Sequence, residues 1–332
     1  MRRVFLQQLA AVALATTAAP MSAQGPRFRI YAITWRGKTQ VEKGLEDYFG
    51  KQGIPVEFIW RDAEQQPAKL AEFVAEIKSV RPDLVYTWGT PPTLGVAGPH
   101  DAVDPKKHVT DIPMLFALVA APIAAKVAPS LTNRTRDITG VTHVAALDAQ
   151  MEAIRTYRPF KRLGVLYNAA ERNSVATAEG LRQLATTQRF QIIEQTFDRS
   201  ADGKAQPTNI GEKVEAMKRA GADWLYLGPD TYLFSQIDQV ASAAMEQRLP
   251  TFSATEAALG LKAPVLAGLV SSYYTIGQFA GYKAEQILVK KQRARDIAIE
   301  SLSRYSFIVR MDVAKQLDIL PPVSLFNYAT IR

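Results

Sequence analysis

The chain has 332 residues, of which 47% are hydrophobic and 22% are charged, which is the composition of an ordinary globular protein of about two domains. It contains no cysteine, which excludes a disulfide, a thiolate nucleophile, a cysteine-ligated zinc ion and a lipid-modified cysteine. The net charge of +8 is mild for this length, and the basic residues form no stripe with interleaved aromatic rings, so nucleic-acid binding is not favoured.

The beginning of the chain has the pattern of an export signal. Arg2 and Arg3 precede an apolar run over residues 9–19, which is too short to span a bilayer core of about 30 Å. We therefore expect residues 1–23 to be a signal peptide that is cleaved near Ala23, by the general or the twin-arginine route. Loss of the two arginines lowers the net charge from +8 to +6. No second long apolar run follows, so we expect a periplasmic protein and not an integral membrane protein.

Beyond the signal, short β-branched or aromatic runs alternate with longer amphipathic runs, which is typical of βαβ units and a mostly parallel sheet. In the first half, strands are predicted over residues 29–34, 56–60, 84–87 and 113–119, and helices over residues 41–52 and 67–80. In the second half, strands are predicted over residues 162–167, 191–197, 224–227 and 250–253, and helices over residues 174–188 and 211–220. After residue 266 we predict a crossover, a helix over residues 275–291 and a short tail.

This order of elements occurs twice in the sequence. Residues 81–92 align with residues 221–232, and the first strands of the two halves align as well. A repeat in register over four strands predicts two similar doubly wound, Rossmann-like α/β lobes joined by a hinge. The expected boundaries are residues 27–143 plus about 271–297 for lobe 1, residues 144–270 plus about 298–332 for lobe 2, and a hinge near residues 140–145 and 269–274.

Candidate ligand-binding residues follow the strands, because ligands of open α/β sheets bind beyond the carboxyl ends of the strands. They are Trp35, Trp88, Gly89, Thr90 and Ala121 in the first half, Tyr167, Asn168, Asn173, Ser174, Asp230, Thr231 and Glu256 in the second, and Tyr273 and Tyr274 at the second crossover. Two of these loops, Gly89-Thr90 and Asn173-Ser174, precede helices, whose first N–H groups attract a carboxylate or a phosphate. Plain helix capping is the alternative for both loops.

The remaining candidates indicate the chemistry of the ligand. Asp230 either pairs with a ligand ammonium or caps the helix that begins near Leu233. Aromatic side chains at the strand ends either form the wall of an apolar pocket or belong to the core. Anion sites, one acid and aromatic walls together predict an amino acid or a related carboxylate as the ligand.

Enzyme signatures are missing from the sequence. No GxGxxG motif follows a strand, and neither a P-loop nor a GxSxG nucleophile elbow occurs. His100, His108 and His143 do not have the spacing of metal ligands. We therefore predict a binding protein without catalytic residues, metal site or cofactor, and not an enzyme.

Six stretches carry a resemblance to a known family. They are DLVYTWGTPPT (83–93), IPMLFALVAAPIAAKV (112–127), DITGVTH (137–143), RPFKRLGVLYNAAERNS (158–174), ADWLYLGPD (222–230) and VAKQLDILPP (313–322). On these residues the chain resembles the ABC-transporter substrate-binding proteins of the tryptophan/phenylalanine-binding type, over nearly all of residues 28–322. The resemblance implies a type I periplasmic-binding-protein fold that grips an aromatic or other hydrophobic amino acid between its lobes. In one departure, the chain has Ala121-Pro122 where the family often has Asp-Pro, which argues against an identical ligand.

Together these observations predict a monomeric periplasmic solute-binding protein of an ABC importer. We expect its lobes to close on a small ligand by a hinge motion, after which the closed form docks on the membrane permease. The alternative is an exported ligand-sensing subunit of a membrane signalling receptor with the same fold.

Overall fold

The computed structural model describes residues 27–132, 134–260 and 262–332, so the expected signal peptide lies outside the described residues. The strands are β1 (Phe28–Thr34), β2 (Val56–Asp62), β3 (Leu84–Trp88), β4 (Met114–Ala117), β5 (Ile138–Thr142), β6 (Arg162–Tyr167), β7 (Gln191–Thr196), β8 (Asp198–Arg199), β9 (Ala205–Gln206), β10 (Trp224–Leu227), β11 (Thr251–Ser253), β12 (Ala267–Val270), β13 (Glu300–Ser301), β14 (Ser306–Val309) and β15 (Thr330–Ile331). The α-helices are α1 (Gln40–Gln52), α2 (Lys69–Val80), α3 (Thr90–Ala97), α4 (Leu147–Tyr157), α5 (Arg172–Gln188), α6 (Ile210–Arg219), α7 (Thr231–Ser235), α8 (Ile237–Glu246), α9 (Glu256–Leu259), α10 (Tyr273–Leu288) and α11 (Met311–Leu317).

The strands form two large sheets with the same internal topology. The first sheet has the order β13-β5-β4-β3-β1-β2, and the second has the order β15-β14-β12-β11-β10-β6-β7. Five neighbouring strands of each sheet, β5-β4-β3-β1-β2 and β12-β11-β10-β6-β7, are parallel and occur in the same spatial order, whereas β14 runs antiparallel to β12. Two doubly wound α/β lobes are therefore present, and the predicted fold class is confirmed.

Local sequence explains why these elements form where they do. Strand β1 is a continuous apolar run whose residues 30–33 are fully buried, as expected for a parallel strand covered by helices on both faces. Helix α1 begins with a capping box in which Thr39 accepts from the backbone and Glu42 accepts from the Thr39 N–H at 2.7 Å. It ends at Gly53, whose φ of 64° is the left-handed conformation that favours glycine at this position.

Helix α10 returns from the second lobe to the first and packs on α1. The two backbones approach so closely that a Cβ on Gly277 would lie 1.9 Å from the Val41 carbonyl oxygen, and a Cβ on Gly44 would lie 2.1 Å from the Tyr274 carbonyl oxygen. Only glycine fits at such a crossing, so α10 is a fixed part of the first lobe.

Three connections join the lobes, at residues 143–146, 271–272 and 302–305. The first overlaps the expected hinge segment 140–145, and the second lies inside the expected segment 269–274. An antiparallel bridge pairs Val144 with Val270. The third was not predicted, and residues 298–301 belong to the first lobe where we expected the second. The reason is that β13 pairs with β5, and the buried Lys283 amine holds it by donating to the Glu300 carboxylate at 2.7 Å. No helix of the described residues is long and apolar enough to cross a membrane.

Candidate functional site

A cavity of about 420 Å³, measured with its opening to solvent, lies between the two lobes. It is lined from the first lobe by Arg36, Trp88, Gly89, Thr90, Leu118, Ala120, His143 and Tyr273, and from the second by Asn173, Pro229, Asp230, Thr231, Phe234 and Thr255. Most of these residues follow the carboxyl ends of parallel strands, where open α/β sheets bind their ligands.

A second, wider void of about 860 Å³ adjoins this inner cavity. Its walls also come from both lobes and include Trp35 and Pro91 from the first and Asn168, Glu171 and Thr231 from the second. Thr231 lines both voids, so the two are neighbours between the lobes, and they are called the inner cavity and the outer void below.

Arg36, immediately after β1, places a cation inside the cleft. Its guanidinium carbon lies 4.8 Å from the ring centroid of Trp88 on the same lobe and 3.5 Å from that of Phe234 on the opposite lobe. Burial lowers the pKa of Arg36 to about 10, so the side chain remains charged near neutral pH. Its buried Nη1 atom has no hydrogen-bond partner among the described residues. A half-buried cation that lies between two rings and has one buried N–H group without a partner is suited to an anionic ligand group.

Two acids lie on the second lobe, of which Asp230 is buried and Glu171 is half-buried. Asp230 accepts from the Asn168 N–H at 2.6 Å and from the Leu233 N–H at 2.8 Å. Glu171 accepts from the Thr231 hydroxyl at 2.6 Å. Burial raises the pKa of both carboxyl groups, and the charge of Asp230 raises the pKa of Glu171 further. Two partly desolvated carboxylates that repel each other favour a cation beside them.

Further polar atoms of residues in the cavity wall have no hydrogen-bond partner among the described residues. Within the described ranges, Trp88 Nε1, His143 Nδ1 and Asn173 Oδ1 are buried and have no hydrogen-bond partner. Burial lowers the pKa of His143 to about 3, so its ring is neutral. Buried polar groups in native proteins are nearly always paired, and a cluster of unused ones around one cavity points to a ligand or to water.

The structure brings together nine of the candidate residues proposed from the sequence. Trp88, Gly89, Thr90, Asn173, Asp230, Thr231 and Tyr273 line the inner cavity, and Trp35 and Asn168 line the outer void. Asp230 is also the N-cap of α7, so the capping role considered from the sequence is present in addition to its place in the cavity wall.

The other five candidates lie outside the lining. The Tyr167 hydroxyl bonds to Glu194 at 3.2 Å, and the Tyr274 hydroxyl donates to Asp47 on α1 at 2.9 Å, so both rings turn away from the cleft. Glu256 accepts from the Tyr273 N–H at 2.6 Å and thereby holds the start of α10. Ala120 lines the cavity, whereas its neighbour Ala121 does not. Ser174 is buried in the first turn of α5, next to Asn173.

Neither helix start has the anion-binding geometry that the sequence suggested. At α3, Pro91 and Pro92 have no N–H, so within the first three helical residues only Thr90 offers a backbone donor. At α5, the Ser174 N–H already donates to the Glu171 carbonyl, and the acids Glu171 and Asp230 flank the site. The cation that lines the inner cavity is Arg36.

Sequence reasoning missed Arg36, Glu171, His143 and Phe234. Arg36 and Glu171 could have been found, since each lies in a loop directly after a predicted strand. Phe234 lies inside α7, where no pattern of the sequence distinguishes it from a core residue.

Comparison with known proteins agrees with this architecture. The chain is 24% identical over 277 residues to a tyrosine-binding protein of Clostridioides difficile (strain R20291), covering 83% of this chain and 74% of that protein. A conserved domain protein of Vibrio cholerae has a similar fold, with a TM-score of 0.79 and 21% identity over 92% of this chain and 99% of that one. An ABC domain from Streptococcus pneumonia in complex with L-Trp has a TM-score of 0.76 and 21% identity over 91% of this chain and 100% of that one.

The family assignment rests on a match that covers most of the chain. Residues 36–331 match the family described as ABC transporter substrate binding protein. The resemblance noted from the sequence and the type I periplasmic-binding-protein fold are both confirmed. Members of this family bind substrates and are not enzymes, as expected from the sequence. The chain therefore belongs to the family of ABC transporter substrate-binding proteins.

Proposed function

We propose that this protein is the exported solute-binding component of an ABC importer and that it holds a small carboxylate, an amino acid or a relative of one, in the cleft between its lobes. Family membership favours this role over a subunit that senses ligand for a signalling receptor. The observation that supports this ligand class is that Arg36, a half-buried cation in the wall of the inner cavity, has a buried Nη1 donor with no partner among the described residues.

A carboxylate suits Arg36 for electrostatic and geometric reasons. The guanidinium presents several N–H donors in one plane, and a carboxylate accepts two of them side by side. Nη1 faces no acceptor among the described residues, so a ligand oxygen would satisfy it without breaking an existing bond. Charge-assisted hydrogen bonds of this type contribute about 1.5–3 kcal/mol.

The rest of the ligand would contact apolar and aromatic side chains of the inner cavity. Trp88, Phe234 and Tyr273 all line the inner cavity, and Leu118 adds an aliphatic side chain. Such walls favour an apolar or flat ligand body. The tyrosine-binding relative and the structure in complex with L-Trp support an aromatic amino acid as one such ligand.

Delivery would follow from closure of the two lobes about their three connections. The connections touch one another, since Val144 bridges to Val270 and the Tyr305 hydroxyl donates to the Val144 carbonyl at 3.5 Å. A compact hinge of this kind permits one lobe to rotate against the other. A ligand that contacts both lobes favours the closed form, and a permease that recognises only the closed form then distinguishes loaded from empty protein.

The test combines ligand identification with a measurement of shape. Purified mature protein is denatured, and the released small molecules are identified by mass spectrometry. The protein is also titrated with the protein amino acids, their deaminated acids and a set of sugars by calorimetry. We expect a carboxylate to bind and to reduce the radius of gyration in X-ray scattering. Tight binding of a sugar, with no response to any carboxylate, would refute the proposed ligand class.

A further inference from the structure

Another cavity lies in the first lobe, at the edge of its sheet that faces away from the cleft. It measures about 650 Å³ with its opening to solvent. Met114 at the start of β4 and Ile138 at the start of β5 line it, whereas Leu118, directly after the end of β4, lines the inner cavity. The length of a parallel strand therefore separates the two, and the one at the amino ends of the strands is called the distal cavity below.

The base of the distal cavity is apolar. It is lined by four residues of the hydrophobic core of the first lobe, Val109, Ile112, Met114 and Ile138. The half-buried Val103 adds a further aliphatic side chain. The cavity thus reaches the edge of the core, where an apolar group of a ligand would leave water and contact aliphatic side chains.

Two arginines add positive charge to the wall of the distal cavity. One of them, Arg136, lies just before β5 and donates to the carbonyl oxygens of Ala97 at 2.5 Å, Gly98 at 3.0 Å and Val127 at 2.8 Å. These contacts hold the end of α3 near the start of β5 and fix the position of the guanidinium. The acceptors are uncharged, so Arg136 still contributes a positive charge to the cavity.

The other arginine, Arg295, has hydrogen-bond donors that the fold does not use. It lies in the 3₁₀ turn Ala294–Asp296 that follows α10. Its Nε is buried and has no hydrogen-bond partner among the described residues. Asp137 Oδ1 lies 3.7 Å from this Nε, which makes an ion pair but is too long for a hydrogen bond. Because 36% of the side chain is exposed, a ligand can reach the guanidinium from solvent.

The charges around the distal cavity are unequal. Among the described residues that line it, two are arginines and one, Asp137, is an acid. Asp137 also accepts from the Arg295 backbone N–H at 3.1 Å, so it holds the turn as well as facing the cavity. The excess of positive charge favours an anion and disfavours an ammonium group. With an apolar base below it, this wall selects an anion that carries an apolar body.

We propose that the distal cavity is a second binding site of this protein, for a small carboxylate with an apolar body and no amino group. The carboxylate accepts from the guanidinium of Arg295, and the apolar body lies on Ile112, Met114 and Ile138. This inference does not depend on the proposed function, because among the described residues none lines both the distal cavity and either void between the lobes. The two sites can therefore be occupied at the same time.

The positions of the methionines provide a direct measurement. Met114 lies at the base of the distal cavity, whereas helices of the second lobe carry Met151, Met217, Met245 and Met311. The mature chain is isotope-labelled at its methionine methyl groups and titrated with 3-phenylpropionate in NMR experiments. We expect the Met114 methyl signal, assigned by its absence from Met114→Leu, to shift until the site is saturated.

Matched probes test the chemistry of the site. The probe 3-phenylpropanamide has the same body without the charge, and L-phenylalanine adds an ammonium group to 3-phenylpropionate. We expect both to need at least about 10-fold higher concentrations for the same Met114 shift, because a charge-assisted hydrogen bond is lost or a like charge is added. An equal response to the amide or to the amino acid would overturn the proposed ligand class.

Variants test the role of Arg295. Arg295→Gln should weaken the binding of 3-phenylpropionate at Met114 about 10–100-fold. Arg293→Gln is the matched control, because Arg293 belongs to the same segment, is 66% exposed and does not line the cavity. Unchanged methyl signals of the second lobe show that a variant is folded. If Arg295→Gln does not fold, Arg295→Lys, which keeps the charge, should bind with an affinity below that of the wild type.

Arg36→Leu separates this site from the cleft. The Met114 response should persist in Arg36→Leu and be lost in Arg295→Gln. The opposite pattern would show that Met114 reports binding between the lobes, and it would overturn the second site while leaving the proposed function standing. A Met114 signal that does not shift up to the solubility limit of 3-phenylpropionate would overturn it as well.

Discussion

The guanidinium carbon of Arg36 lies 3.5 Å from the ring centroid of Phe234, and the two residues belong to different lobes. The contact therefore spans the cleft. It places the cation of the first lobe against an aromatic ring of the second, in a half-buried setting where a cation–π contact contributes more than at a fully exposed surface. Closure and the proposed ligand binding thus share one side chain.

The first prediction concerns this contact across the cleft. Phe234→Leu removes the ring and keeps an apolar side chain, so the closed form should lose about 0.5–2 kcal/mol. We expect a larger radius of gyration for the ligand-free variant in X-ray scattering, and a lower ligand affinity. Phe326→Leu is the matched control, because Phe326 is 54% exposed in the C-terminal segment. An unchanged radius for Phe234→Leu would contradict a role of this contact in closure.

The second prediction concerns Arg36, the residue proposed to bind the carboxylate of the ligand. Arg36→Met should weaken carboxylate binding by about 1.5–3 kcal/mol, because a charge-assisted hydrogen bond is lost. Thermal stability should change less than affinity, since the loss of the contacts with the Trp88 and Phe234 rings is offset by removal of a half-buried cation whose Nη1 has no partner among the described residues. Calorimetric titration and thermal unfolding measure the two effects. Arg172→Met, at an exposed position of α5, is the control, and equal losses of affinity in both variants would contradict the assignment.

The third prediction separates the two roles of Asp230. Asp230→Ala leaves the Leu233 and Asn168 N–H groups without their acceptor and should cost about 0.5–2 kcal/mol of folding stability, together with ligand affinity. Asp230→Asn keeps an acceptor oxygen and should lose affinity with a smaller loss of stability. Thr39→Ala, the N-cap of the remote helix α1, should lose stability alone. If Asp230→Asn binds the ligand as wild type does, Asp230 serves only as a cap.

The fourth prediction concerns pH. Burial and the charge of Asp230 raise the pKa of Glu171 above its ordinary value of 4.5, so the folded state retains the proton more strongly than the unfolded state does. The resulting stability is complete below the ordinary pKa and is lost as the pH rises through the raised one. Glu171→Gln should therefore be more stable than wild type at about pH 8, with a smaller difference at about pH 5. Urea unfolding at both pH values measures this, with Glu179→Gln on the exposed face of α5 as control.

The fifth prediction concerns export. The pattern of residues 1–23 predicts cleavage near Ala23 and a mature chain that begins at or near Gln24. N-terminal sequencing of the protein recovered from the periplasm measures the cleavage position. Recovery of full-length protein that retains Met1 in the cytoplasm would contradict both the signal and the periplasmic location.

Local patterns of sequence were sufficient for the fold. A buried parallel strand needs a short continuous apolar run, as in residues 30–33, and such runs alternating with amphipathic helices leave few topologies other than a doubly wound sheet. The repeat between the halves then predicted a second sheet with the same strand order, which the structure contains. Because ligands bind where parallel strands end, the residues that follow the strands could be predicted to line a cavity. Trp88, Asn173 and Asp230 are among those that do.

The direction of individual side chains depended on contacts between distant segments, which local patterns do not encode. Tyr273 and Tyr274 are neighbours in sequence, yet the first lines the cavity while the second bonds to Asp47, because α10 packs on α1 along one face. Strand β13 joined the first lobe because Lys283 and β5 hold it there. By itself, the sequence determined two lobes and the edges where a ligand would bind. Only tertiary packing decided that Arg36 meets Phe234 across the cleft, because that contact requires both lobes to be folded and placed against each other.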